Sequence, residues 1–121
     1  MNDYLVSKQI PDCYLFPNFI DLDLSERLMT EVLSLPLEKE TFKMFGKDIT
    51  VPRESIWMAD PGCTYRYSGI TRLPHPWSPV VSLLHSRVLK KFPGLNSALI
   101  NVYRHGDHYM GYHQDLSLIH I

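Results

Sequence analysis

Nine prolines spread through 121 residues limit what this chain can build. Each fixes φ and removes a backbone donor, so every helix or strand has to fit between two of them. Two intervals carry helical patterns. In the first, Asp23 followed three residues later by Glu26 reads as a capping box, Leu24, Leu28, Val32 and Leu35 recur on one helical face, and Pro36 marks the stop. In the second, Ser78 and Pro79 read as a cap and first-turn proline. They open a helix with apolar Val81, Leu84 and Val88 that ends before Pro93 and Gly94.

The rest reads as short strands. Cys13 to Ile20 is apolar, and the run KETFKMF, then GKD, then ITVP suggests a hairpin. Glu54 to Ala59 should form a strand that ends at an Asp60-Pro61-Gly62 turn. Thr64 to Tyr67 should form another, followed by the proline-rich crossing LPHPWSP. Ser97 to Arg104 and Tyr109 to Asp115 complete the set, joined across His105, Gly106 and Asp107. Two helices beside many short strands give an α+β fold with a sheet or barrel core, in one domain over residues 1–121.

Composition removes several classes of function. No window approaches the run of apolar residues a membrane helix needs, and the polar start lacks the order of a signal peptide, so an intracellular protein without membrane contact is expected. Cys13 and Cys63 have no CxxC spacing and read as free thiols. Net charge is −1, yet residues 41–121 carry nine basic against five acidic side chains. That local excess of +4 can attract phosphate, and an ordinary solvated surface would look the same. All six histidines fall in the last 47 residues, which is suggestive of a metal or proton-transfer site.

The most informative motif is His113-Gln114-Asp115. Side chains alternate along a strand, so His113 and Asp115 share a face and can bind one cation, supplying two ligands of a facial triad. The spacing alone also occurs in strands that bind nothing. In the preceding strand the same alternation puts Asn101 and Tyr103 together, an amide and a phenol able to hydrogen-bond a carboxylate. His105, His108 and His113 lack HExxH spacing, which argues against a zinc protease. Tyr65 and Tyr67 share a strand face and suit cross-strand packing as well as a ligand pocket.

In combination these segments resemble a known family. VPRESIWMADPGCTYRYSGITRLPHPWSPVVSLLHSRVL followed by LINVYRHGDHYMGYHQD is similar to the AlkB family of Fe(II) and 2-oxoglutarate dependent dioxygenases, in the branch of the second and third mammalian homologues. The resemblance runs from about Tyr14 to Asp115 and rests on six motifs in order: PR, D-x-G, TYxYSG, P-x-PW, N-x-Y and H-x-D. It implies a double-stranded β-helix, or jelly-roll, core that is partial here, with two flanking helices and a nucleotide-recognition hairpin region. It also implies Fe(II) held by His113 and Asp115, and 2-oxoglutarate held by Asn101 and Tyr103. Tyr67 would stack on a flipped base with the His113 ring on the other side, and Tyr65 and Ser68 would border that pocket. Phe45, in MFGK, would be the wedge that enters a duplex, flanked by Lys43 and Lys47 for phosphates.

The implied activity is DNA repair by oxidative demethylation of alkylated bases such as 1-methyladenine and 3-methylcytosine. The implied partners are alkylated DNA and dioxygen, and RNA stays open. So do a protein-directed oxygenase and a non-catalytic nucleic-acid-binding module. A monomer is expected, cytoplasmic in a bacterium and nuclear in a eukaryote. The resemblance stops at Asp115: residues 116–121 read LSLIHI and are expected not to be native to the family. His120, seven residues past His113, is not where the distal iron ligand should be. The domain is therefore expected to be C-terminally incomplete and inactive alone. Arg53 is left between a backbone role and an internal carboxylate, while Trp57 and Trp77 are assigned to the core.

Overall fold

A computed structural model describes residues 5–6, 13–39, 41–50, 52–67 and 70–109. Its elements in chain order are β1 (Leu5–Val6), β2 (Tyr14–Leu15), α1 (Leu22–Ser34), β3 (Thr41–Met44), β4 (Lys47–Thr50) and β5 (Glu54–Ala59). They continue with β6 (Tyr65–Tyr67), β7 (Ile70–Arg72), α2 (Pro79–Leu89) and β8 (Ser97–Val102). The strands form antiparallel pairs, β1 with β2, β3 with β4, β5 with β8 and β6 with β7. The α+β reading is met, whereas a closed roll is not found among the described residues.

β5 is the spine. It pairs with β8 over six positions, from Glu54 opposite Val102 to Ala59 opposite Ser97. Its other edge bonds Glu38 through Ser55, and the Trp57 carbonyl accepts from the His75 N–H at 2.8 Å. Alternation along this ladder divides it into two faces. Ile56 and Met58, with Ile100 of β8, turn toward the helices and join Val81 in the core; Met58 has no exposed surface at all. Leu28, Val32, Leu35, Leu37 and Trp77 pack around that cluster. Burying side chains of this size stabilises by about 1.5–3 kcal/mol each.

The first helix opens earlier than the capping box suggested. Asp21, not Asp23, is the N-cap, and its carboxylate accepts from the Leu24 N–H at 2.8 Å. The helix consequently starts at Leu22, and Asp23 sits in the first turn, paired with Arg27 at 3.8 Å. The apolar run Cys13 to Ile20 yields only the two-residue strand β2. It breaks at Pro17 and at Asn18, where φ is 60°. β7 has no counterpart in the sequence reading, which assigned nothing between the strand ending at Tyr67 and the crossing that begins at Leu73.

The two helices are joined by a carboxylate. Ser78 precedes α2 as expected, but its side chain makes no capping bond within its own helix. Glu31, on α1, takes that role instead. Its carboxylate accepts from Val80 N–H (2.9 and 3.0 Å to the two oxygens), Val81 N–H (2.9 Å) and the Ser78 hydroxyl (2.8 Å). Pro79 has no N–H, so these two amides are the first donors of α2 that need partners, and a negative charge there also suits the helix dipole. Burial pushes the Glu31 carboxyl up, but the bonds from Val80, Ser78 and Val81 and the charge of Arg27 outweigh it and hold the pKa below its ordinary 4.5.

Replacing Glu31 by Gln should therefore lower stability by about 1–2 kcal/mol at neutral pH, read from urea unfolding. Because the folded-state pKa is depressed, the wild-type advantage is fully present above pH 4.5 and is lost as pH falls through the lower folded value. An advantage that does not shrink in acid would contradict the clamp.

Candidate active site

The side of the β5–β8 ladder turned away from the helices carries the sequence-predicted groups that can be placed. Asn101 stands opposite Ser55, and Tyr103 and Arg53 follow directly past the Glu54–Val102 pair that ends the ladder, where their side chains meet. By alternation Arg53, Asn101 and Tyr103 share one face. Asn101 is exposed and Tyr103 is 45% exposed, so both are open to a ligand. Arg53 Nη1 donates to the Tyr103 phenol oxygen at 3.4 Å. This contact adds to the two roles the sequence left open for Arg53 and decides between neither. Cross-strand register is the signal that could have found it, but register was not legible before β5 and β8 were paired.

Arg53 holds a second informative atom. Its Nε–H is buried and donates to nothing among the described residues. A buried donor without an acceptor costs about 1–3 kcal/mol. Arg104 bonds Glu54, so the carboxylate adjacent to Arg53 in sequence is already engaged. An amide, a phenol and a guanidinium on one open face form a donor set suited to a carboxylate. The residues present thus fit 2-oxoglutarate.

Just beyond β8 the chain turns. His108 N–H donates to the His105 carbonyl at 3.0 Å, Arg104 N–H donates to His108 Nδ1 at 3.2 Å, and the two imidazoles lie 4.1 Å apart. Desolvation, then the nearby charges of His105, Lys39 and Arg104, disfavour the imidazolium of His108, against Glu54. His108 thus titrates below the ordinary 6.5. Among the described residues no three His, Cys, Asp or Glu side chains gather to hold a metal. His113 and Asp115, the predicted ligands, lie outside the described residues, as does Ser68.

Tyr65 and Tyr67 lie two positions apart on β6, where register pairs them with Arg72 and Ile70. The hairpin turn is better defined. Phe45 and Gly46 have φ of 53° and 76°, the two positive values of a type I′ turn, and they set Met44 opposite Lys47. Glycine adopts that conformation freely, whereas a bulky side chain at φ 53° is strained. The Phe45 side chain is nonetheless 97% exposed. Lys43 and Lys47 are exposed beside it, Lys43 across from Asp48. A groove of about 720 Å³ also runs between α1 and β8; Leu28, Met29, Val32, Leu33 and Ile100 make its α1 side aliphatic, while Asn101, Tyr103 and Arg104 line its polar end.

Residues 12–119 match the family described as the 2OG-Fe(II) oxygenase superfamily. The chain belongs to that superfamily. Within it, the relatives place the chain in the AlkB family and imply Fe(II) and 2-oxoglutarate as cofactors. The bovine protein named DNA oxidative demethylase ALKBH2 is 40% identical over 74 residues, covering 60% of this chain and 27% of its own length. The human protein of that name is 39% identical over 75 residues, covering 60% and 28%. Protein R406 of Acanthamoeba polyphaga mimivirus is 33% identical over 100 residues, covering 79% and 50%. The chain therefore spans less than a third of the ALKBH2 proteins it matches. Superfamily membership implies a jelly-roll, of which the described residues show two helices and antiparallel strand pairs. No described helix is long and apolar enough to cross a membrane.

The turn after β8 gives the oxygenase chain a direct solution test. In a proton NMR titration His108 should titrate below 6.5, and His105→Ala should move it back upward by removing one of the charges that lowers it. A His108 titration unmoved by that substitution would contradict the proximity of the two rings.

Proposed function

We propose that the gene product carrying this sequence repairs DNA by oxidative demethylation of alkylated bases such as 1-methyladenine and 3-methylcytosine. The observation that carries this reading is Phe45, an apolar ring held almost fully exposed at the strained tip of a two-stranded ribbon. A buried position would explain a phenylalanine in a hairpin, but exposure at a conformational cost calls for another use. An apolar wedge entering a base stack is such a use, with unstacking offset by access to a weakened pair. The names of the relatives, DNA oxidative demethylase, support the same direction.

Each residue then has a task. Lys43 and Lys47 hold phosphates on either side of the wedge. Tyr67 and the ring of His113 sandwich the extruded base, where a cationic methylated ring is favoured against an electron-rich face. Tyr65 and Ser68 border that pocket. His113 and Asp115 hold Fe(II), and Asn101 and Tyr103 orient 2-oxoglutarate by hydrogen bonds to its oxygens. Iron with 2-oxoglutarate, when bound, supplies the oxidation of an N–CH3 group by dioxygen. The resulting N–CH2OH releases formaldehyde and leaves N–H, while the protein exposes the base, aims its methyl group and excludes water.

The test is formaldehyde release from a 1-methyladenine oligonucleotide, with iron and 2-oxoglutarate present, by the gene product and its variants. His113→Ala should abolish iron uptake and release from every substrate. Phe45→Ala should slow release from a duplex by about tenfold or more while leaving single strands within about twofold. Equal loss on both substrates, or none on duplex, would remove the wedge, and iron-independent release would remove the oxygenase reading.

A further inference from the structure

Arg53 is committed on one edge and, among the described residues, unpartnered on the other. The guanidinium is a rigid planar fork whose five N–H groups point in fixed directions. Nη1 lies on the side of the arginine's own Cδ and donates to the Tyr103 phenol at 3.4 Å. The Nε–H points to the other side, together with Nη2, and this Nε–H is the buried donor with no acceptor among the described residues. Side by side, those two groups match the spacing of two oxygens on one delocalised oxyanion.

The surroundings say what such an anion would meet. Arg53 meets Tyr103 just past the end of the ladder, on the face that also carries Asn101. Glu54, adjacent in sequence, is bonded by Arg104, and among the described residues no acid accepts from the Nε–H of Arg53. An anion arriving there would be bound by Arg53 while Arg53 holds the phenol of Tyr103 in place.

We propose that the Nε edge of Arg53 is an oxyanion-binding edge of this site and that, through Nη1, Arg53 is the positioning residue for Tyr103. The inference rests on the dioxygenase reading for the use of that face. Two sources share the chemistry, the carboxylate of 2-oxoglutarate and the phosphodiester of a nucleic-acid strand. Lysine cannot replace the fork, because a point charge with rotating donors does not present two parallel N–H groups.

The test follows the Arg53 Nε–H and Tyr103 ring signals of the metal-free 121-residue chain by NMR during two titrations. One uses 2-oxoglutarate and the other the dinucleotide thymidylyl-thymidine. The Nε–H signal should move saturably with at least one, with the Tyr103 ring following. Whichever anion saturates at lower concentration is the source. Arg53→Lys, which keeps the charge, should bind that anion about tenfold or more weakly. The β5–β8 amide signals should stay dispersed in that variant, which separates binding from folding. If neither anion moves the Nε–H, or if Arg53→Lys binds equally well, the proposal is overturned. Without metal in the titration, its failure leaves iron uptake through His113 and Asp115 untouched, and loss of that uptake leaves the edge standing.

Discussion

The ladder between β5 and β8 sets everything else in place, because its register decides which side chains meet. With Glu54 opposite Val102, Ile56, Met58 and Ile100 turn inward to Val81 and the helices and Asn101 takes the other face, where Ser55 and Ala59 of β5 are buried as well. A slip of one residue would exchange the faces, sending Ile56, Met58 and Ile100 into solvent and Asn101 into the core. The burial of Met58 and Ile56 therefore fixes the orientation of Asn101, Tyr103 and Arg53. Both faces are also tied at the end of the ladder, by Arg104 to Glu54 on one and Arg53 to Tyr103 on the other.

Helix placement depends on a second electrostatic constraint. The Glu31 carboxylate satisfies the first amides of α2 and links the two helices across 49 and 50 positions of sequence. Trp77 adds to this arrangement by stacking on His85 at 4.1 Å while its indole N–H donates to Asp60 at 2.9 Å. The Asp60-Pro61-Gly62 turn is thereby connected to α2. Gly62, with φ of 88°, takes the conformation a type II turn requires after proline. The core is small, and these polar links position the elements where apolar packing is thin.

Much of this was legible in the residues and some was not, for identifiable reasons. β5, the hairpin and both helices followed from periodicity and from proline and glycine placement, because those signals are local, whereas Phe45 at the hairpin tip came from the family resemblance. Asp23 misled as the cap because two aspartates lie within one turn and only the chain path chooses between them. Ser78 carried a capping signature, yet the capping oxygens come from Glu31, far away in sequence. The Arg53–Tyr103 contact was invisible for a similar reason, since it exists only once two strands separated by a helix are paired. Asn101 and Tyr103 fell on one face as alternation required. The roles of His113, Asp115, Tyr65, Tyr67 and Ser68 remain those implied by family resemblance.

The central claim is that the metal belongs on the outward side of the ladder, beside Asn101 and Tyr103. Manganese(II), a paramagnetic substitute for Fe(II), tests it most directly through distance-dependent broadening of NMR signals. The account predicts that substoichiometric manganese broadens the Asn101 side-chain amide and the Tyr103 ring strongly, spares the Met58 and Val81 methyl groups, and has neither effect in His113→Ala. Broadening of the core-side methyl groups in preference to Asn101, or broadening unchanged by that substitution, would contradict it.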